Sequence, residues 1–221
     1  VSLGSATFPE LRGRGDLHLV IPLGATEQHG PHLPLETDTL IAHGIAEAVA
    51  ATRSDVLLAP ALPYGSSGEH ADFPGTLSLG QAALEAVVVE LTRSAEAFRD
   101  VTLLAWHGGN AQPLARALAT LRAEGRAVNL WQPDVEDGDA HAGWVETSLM
   151  LALAAHLVRS ERPVGVTMPL ATLLPRLRQH GVQAVSENGV LGDARAASAQ
   201  RGHRLLERLA AEIGELLDAR S

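Results

Sequence analysis

At 221 residues, 46% of them hydrophobic, the chain can bury one substantial core or at most two modest ones, and it is too apolar to stay disordered. It has no cysteine, which excludes disulfides, thiolate nucleophiles, iron–sulfur clusters and cysteine-bound zinc, so any metal must be held by imidazole and carboxylate. Seventeen Lys and Arg against 26 Asp and Glu give a formal net charge of −9, a surface that repels a phosphate backbone and argues against nucleic-acid binding.

The opening Val-Ser-Leu-Gly lacks the basic start and apolar run of a signal peptide, and no segment reaches the roughly 18 uncharged apolar residues of a membrane span. A cytoplasmic protein without membrane contact is the expectation. Residues 18–24 read as a short buried strand ending in a Pro and Gly turn, and 39–51 then carry a helical apolar pattern. The next cycle is a strand at 56–59, a polar, Gly-rich loop over 60–76, and a long helix over 78–98 with Ser78 as its N-cap. A third cycle pairs the apolar strand 101–106 with the loop His107-Gly108-Gly109-Asn110 and a helix over 111–124, closed by Gly125 at positive φ. Beyond it come a strand at 127–131, an acidic loop at 134–139, a helix over 142–158 and a short strand over 164–168. An amphipathic helix over 195–217 follows, with Leu205, Leu209 and Ile213 on its apolar face. Strands alternating with helices predict one α/β domain over 1–221, with a mostly parallel sheet covered on both sides and its site just beyond the strand ends.

Several polar residues stand at such ends. Glu27 and His29 are two apart in an extended stretch and so point the same way, and the Pro-rich turn at 30–34 can bring Asp38 back towards them. E-x-H pairs also arise by chance near turns, so spacing alone leaves this segment a candidate. His32 reads as a supporting or exposed residue ahead of a direct ligand. His107 ends a fully apolar strand beside two glycines that leave room for a substrate, although a structural histidine fits the same place. His141 follows the acidic loop. Glu146, five residues on, lies beside an apolar helix face, where it needs a cation or donor unless it is a solvated first-turn acid. Such a mixed set suits zinc, iron(II) or manganese(II). Asp38 can bridge two ions, a pair that activates water and polarises an amide carbonyl, with His141 as candidate general acid for the leaving nitrogen. No G-x-S-x-G elbow follows a strand, which gives Ser66, Ser67 and Ser78 no nucleophile's setting.

Four ordered blocks carry a family resemblance. They are Gly24-Ala25-Thr26-Glu27-Gln28-His29-Gly30-Pro31-His32-Leu33-Pro34-Leu35-Glu36-Thr37-Asp38, then Gly68-Glu69-His70-Ala71-Asp72-Phe73-Pro74-Gly75-Thr76, then His107-Gly108-Gly109-Asn110, and His141-Ala142-Gly143 with Glu146-Thr147-Ser148. Together they resemble the creatininase family, the creatinine amidohydrolases. The resemblance implies a three-layer α/β/α fold, a homo-oligomer, and two divalent ions acting on amides. It also implies that Glu27 and His107 hold one ion and His29 the other, that Asp38 bridges them, and that His141 transfers protons beside Glu146. This sequence departs from creatininase proper at Gly109, where that enzyme has a metal-binding glutamate, at Ala140, in place of a glutamate, and at Asp137, in place of a substrate-closing tryptophan. Glu146 is then expected to complete the second ion, and creatinine is not the expected substrate. The segment Trp106-His107-Gly108-Gly109-Asn110 most resembles the branch that trims the mycofactocin precursor. That implies a metal-dependent peptidase releasing the C-terminal Val-Tyr-derived portion of a small modified peptide. Hydrolysis of a small cyclic amide or formamide, and a non-catalytic binding subunit, stay open beside it.

Overall fold

The computed structural model describes residues 2–219. Val1, Arg220 and Ser221, the ends of the expected domain span, lie outside the described residues. Four parallel strands, β1 (His18–Leu23), β2 (Val56–Leu58), β3 (Asp100–Ala105) and β4 (Val128–Trp131), form one sheet in the order β2-β1-β3-β4. Both faces are covered, which explains why the strands read as continuous apolar runs. Successive side chains point to opposite faces. Val20, Val56, Leu58 and Leu104 join one core, while Leu19, Ile21, Leu23, Leu57, Leu103 and Ala105 join the other.

Among the described residues there are six α-helices, besides short 3-10 turns: α1 (Thr37–Thr52), α2 (Gln81–Ser94), α3 (Ala111–Ala123), α4 (Trp144–Leu153), α5 (Leu170–His180) and α6 (Ala199–Asp218). Ile41, Ile45 and Val49 of α1, Leu149 and Met150 of α4, and Leu205, Leu209 and Ile213 of α6 fill the first core. Leu84 and Val88 of α2 with Leu114, Ala117 and Leu121 of α3 fill the second. The result is the expected three-layer α/β/α sandwich. Each fully buried Leu or Ile contributes about 1.5–3 kcal/mol, so the two cores rather than helix propensity set the layers.

The chain leaves β1 for β2 on one side, then returns past β1 to place β3 on the other. That reversal makes the gap between β1 and β3 a switch point, where open α/β sheets open a crevice at the carboxyl ends of their strands. Glu27 and His29 follow β1 and His107 follows β3, so both segments enter this crevice.

Four expectations are corrected. Ser78 does not cap α2: its hydroxyl accepts from the Ser67 and Gly80 amides, which fold the preceding loop, and the helix starts at Gln81. No strand forms over 164–168. Pro163 and Pro169 cannot donate to a ladder, and what remains is the isolated Val164–Asp193 bridge with amide bonds from Gly165 to Gly192 O and from Val166 to Val190 O. α5 then follows directly, in a stretch where Pro169 and Pro175 had hidden the helical pattern. Helix α4 ends at Leu153, short of residue 158, and α6 begins at Ala199 because the Ser198 hydroxyl accepts from the Arg201 amide there.

Candidate metal centre

The crevice is lined by buried carboxylates and imidazoles. Glu27, His29, Asp38, His107, His141 and Glu146 are all at most 9% exposed and lie together. Asp38 comes from the first turn of α1, which starts at Thr37 rather than after it, and Glu146 comes from the first turn of α4.

What orients the three imidazoles is the main chain. His29 Nδ1–H donates to the Glu27 carbonyl at 3.0 Å, which turns Nε2 towards Asp38 Oδ1 at 3.1 Å and Glu146 Oε2 at 3.8 Å. His107 Nε2–H donates to the Ser66 carbonyl at 3.0 Å and leaves Nδ1 3.1 Å from Glu27 Oε1 and 3.5 Å from Asp38 Oδ2. His141 Nε2–H donates to the Gln28 carbonyl at 2.8 Å, with Nδ1 3.9 Å from Glu27 Oε1 and 4.0 Å from Glu146 Oε2. A backbone carbonyl behind each ring fixes its tautomer and aims the other nitrogen inward, the arrangement that metal-binding histidines use.

The acceptors exceed the donors. Both Glu27 carboxylate oxygens and Asp38 Oδ2 are buried without a hydrogen-bond partner among the described residues. Buried anionic oxygens of that kind are costly unless a cation faces them. Three groups bring ligand atoms within 4.8 Å of one another: Glu27 with Asp38 and His107, His29 with Asp38 and Glu146, and Glu27 with His29 and His141. The first two share Asp38. The donor set therefore fits divalent cations.

Charge balance follows the same geometry. Burial pushes His29 down, but Asp38, Glu146 and Glu27 outweigh it and raise it to about 10. Burial likewise opposes His107, which Glu27, Asp38 and Glu69 raise to about 10. Glu27 sits below the usual carboxylate range because neighbouring imidazoles, His107 foremost, outweigh its burial. Burial and the His29 charge push His141 below its ordinary value, so its ring is neutral near pH 7. Glu146 is held ionised against burial by His29 and His141, and it accepts from Trp106 Nε1 at 3.0 Å and the Ala142 amide at 2.6 Å.

The other candidates fall outside the cluster. His32 is fully buried rather than exposed, its Nε2 2.8 Å from the Thr147 hydroxyl of α4, and burial pushes it down to about 4. Ser67 Oγ lies 3.5 Å from His107 Nε2, but that nitrogen's proton is given to Ser66 O, so it cannot take one from the serine. The Ser78 hydroxyl accepts from the Ser67 amide within the loop, and the Ser66 amide donates to Asn110 Oδ1.

Sequence reasoning missed two residues. His70, from the 3-10 turn Gly68–His70, stands 3.3 Å from Glu27 Oε1 and stacks 4.6 Å from the His141 ring, and burial pushes it down to about 2. Gln28 places its amide nitrogen 2.8 Å from His70 Nδ1 and 3.1 Å from the Gly189 carbonyl, joining that turn to the loop beyond residue 186. The clue was strand order: β2 borders β1, so the loop after β2 had to cross the same crevice.

From Glu146 and Trp106 a cleft of about 630 Å³ opens to solvent. Val135, Asp137 and Trp144 line it, as do Val166, Met168 and Leu170.

The creatininase family model, described as creatinine amidohydrolase, matches residues 4–217. The chain belongs to the creatininase family. A mycofactocin precursor peptide peptidase of Mycolicibacterium smegmatis is 48% identical over 211 residues, covering 92% of this chain and 85% of that protein. Its Mycobacterium tuberculosis counterpart is 47% identical over 214 residues with the same coverage. The creatinine amidohydrolase of Pseudomonas putida is 32% identical, covering 94% and 92%. A solved creatinine amidohydrolase (creatininase) superposes with a TM-score of 0.74 at 28% identity, over 98% of this chain and 96% of that one. As a creatininase-family chain, this protein keeps the family's sandwich, and no described helix is long and apolar enough to cross a membrane.

Proposed function

We propose that this creatininase-family chain is a metal-dependent peptidase that cleaves an amide bond of a modified mycofactocin precursor peptide and releases its C-terminal Val-Tyr-derived portion. The observation that carries hydrolysis is the set of three inward-aimed imidazole nitrogens around Glu27, Asp38 and Glu146, with both Glu27 oxygens and Asp38 Oδ2 buried without hydrogen bonds. Identity of 45–48% to four peptidases of that name supports the substrate. The open cleft of about 630 Å³ favours a peptide over a compact ring.

In this reading Glu27 and His107 would hold one cation and His29 and Glu146 the other, with Asp38 belonging to both groups of possible ligands. The ligand chemistry suits Zn2+, Fe2+ or Mn2+. Bound cations supply Lewis-acid polarisation of the scissile carbonyl and acidify the attacking water. His141 enters the reaction neutral, with its Nδ1 lone pair turned to the cluster. That nitrogen accepts the proton of the attacking water and returns it to the leaving amide nitrogen, so the ring ends as it began. Glu146 stabilises the imidazolium between the two transfers. Trp106 Nε1–H and the Ala142 amide hold that carboxylate in place. The whole chain acts as one domain and as a homo-oligomer, which light scattering of the purified protein checks.

The test incubates purified protein with modified precursor peptide and follows the released C-terminal fragment by mass spectrometry, before and after chelation. Turnover that survives complete metal removal would falsify the proposal. Turnover of small formamides or cyclic amides, with the peptide left intact, would move the assignment elsewhere within the family.

A further inference from the structure

The family resemblance implies a metal-binding glutamate at the position of Gly109, and the surroundings of that glycine bear on how this chain does without one. A Cβ built on Gly109 would meet the Ser66 carbonyl oxygen, Glu69 Oε1 and His107 Nε2, all inside the 3.0 Å that real Cβ contacts do not enter. Glu69 and the His107 ring could swing aside. The Ser66 carbonyl cannot, because it belongs to a buried loop whose neighbouring amide is tied to Asn110 Oδ1 at 2.9 Å and whose carbonyl accepts from His107. The position is closed to any side chain, and part of its space belongs to another carboxylate.

That carboxylate lies behind His107. Glu69 Oε1 is 3.7 Å from His107 Nε2, on the side of the ring opposite to Nδ1, which faces Glu27 and Asp38. Its backbone is pinned: the Glu69 carbonyl accepts from the Val182 amide at 2.8 Å, just beyond α5. The imidazole therefore has carboxylate oxygens near both of its nitrogens; burial raises the Glu69 carboxyl above its ordinary value, and the neighbouring His107 ring opposes that rise. With the Nε2 proton given to Ser66 O, Glu69 at 3.7 Å acts on the ring by charge rather than by a hydrogen bond, and negative charge behind a ligating histidine favours a cation.

We infer that Glu69 is a positioning carboxylate for His107, supplying from outside the ion's reach the negative charge that Gly109 cannot provide from within. The inference rests on the metal centre proposed above. Ser66 O fixes which nitrogen of His107 bears the proton, and Glu69 sets how strongly the other nitrogen binds. The sequence block Gly68-Glu69-His70 thereby gains two functions on consecutive residues, His70 beside Glu27 and Glu69 behind His107.

The experiment compares wild type, Glu69→Gln and Gly109→Glu by Zn2+ competition against a chromophoric chelator, by the visible spectrum of the Co2+-loaded proteins, and by thermal melting of the metal-free proteins. Glu69→Gln is expected to weaken Zn2+ binding about 10–100-fold at one of the two sites while the metal-free melting temperature holds. The Co2+ bands should keep their positions, because Glu69 does not touch the ion. Gly109→Glu is expected to lower the melting temperature and to gain no affinity. Unchanged Zn2+ affinity in Glu69→Gln overturns the inference. So does a loss of affinity matched by a fall in metal-free stability, a shifted Co2+ spectrum, or a Gly109→Glu protein that binds Zn2+ more tightly. Wild type that binds no Zn2+ would overturn the metal centre itself and this inference with it, an outcome told apart by the first titration alone.

Discussion

Strands β1 and β3 carry buried histidine and carboxylate at both of their ends, and the two ends behave differently. At the amino end His18 and Asp100 are register partners, and His18 Nδ1–H donates to both Asp100 oxygens at 3.0 and 2.9 Å. One donor meets one carboxylate, with Asp55 Oδ2 a further 3.8 Å from the other ring nitrogen. At the carboxyl end three imidazoles give their outer protons to backbone carbonyls and turn their inner nitrogens on Glu27, Asp38 and Glu146, whose oxygens outnumber the donors. Residue types do not separate a structural pair from a metal centre. The destination of each ring's second nitrogen does, together with the surplus of buried acceptor oxygens.

The largest expected effect breaks the carboxyl end alone. Asp38→Asn keeps the side-chain shape but removes the charge that two of the three ligand groups share. It should abolish tight metal binding and lower peptide turnover by well over the ~100-fold that loss of an outer partner costs. Metal content by plasma emission spectrometry and turnover by mass spectrometry check this, and a variant that keeps its metal would return Asp38 to a structural role.

The next effect is on pH. His29 and His107 are raised from 6.5 to about 10 in the metal-free protein, so both carry a proton near neutrality, and each must release it before its inner nitrogen can bind a cation. Apparent affinity therefore rises with pH through this window by up to about tenfold per unit at each site, each of which displaces one of the two protons. The same protons act oppositely on the empty fold. A raised pKa contributes stability that is complete below 6.5 and lost as pH climbs through about 10, so the metal-free melting temperature should fall where affinity rises. Chelator competition and melting curves at pH 6.5, 7.5 and 8.5 test both signs, and affinity flat in pH would remove the proton displacement.

A change at the amino end should have a smaller and different result. Asp100→Ala leaves His18 Nδ1 buried without its acceptor and is expected to cost about 1–3 kcal/mol of stability, with metal stoichiometry untouched. Urea denaturation supplies the number, and a fall in metal content would show that the two ends are coupled.

How far this contrast could be read in advance depends on the type of signal. Continuous apolar runs gave the parallel strands, because burial on both faces leaves no polar alternation to misread. Glu27, His29 and Asp38 were visible because twelve residues hold all three, and His107 because it ends a strand. The roles of Gln28, Glu69 and His70 were not visible. Each acts through a partner at least 38 residues away in sequence, and their meeting depends on β2 lying next to β1, which no local pattern encodes. The helix α5 was missed for a local reason, since a proline at the sixth of its eleven positions breaks the pattern on which a helix is recognised. The carbonyls of Glu27, Gln28 and Ser66 that fix the imidazole tautomers carry no side-chain signature at all.

The smallest effect sharpens the contrast within the cleft rather than across the sheet. Its lining at Trp144 is held: the Arg201 guanidinium stacks 3.8 Å above the indole, and the Trp144 amide is bound by Asp139. The lining from the 166–170 segment is looser, with Met168 52% and Leu170 44% exposed. A peptide lying against that segment would bury the Met168 thioether side chain, and covering about 40 Å² of it is worth roughly 1 kcal/mol at ~25 cal/mol per Å². Met168→Ser should then raise KM for the precursor peptide about fivefold and leave kcat and metal content alone, because the contact is made equally in ground and transition states. Small formamides, too short to reach Met168, should show no change. An unchanged KM for the peptide would mean that the chain runs along Trp144 instead. In that case a matching loss should follow Arg201→Ala, which frees the indole without removing it.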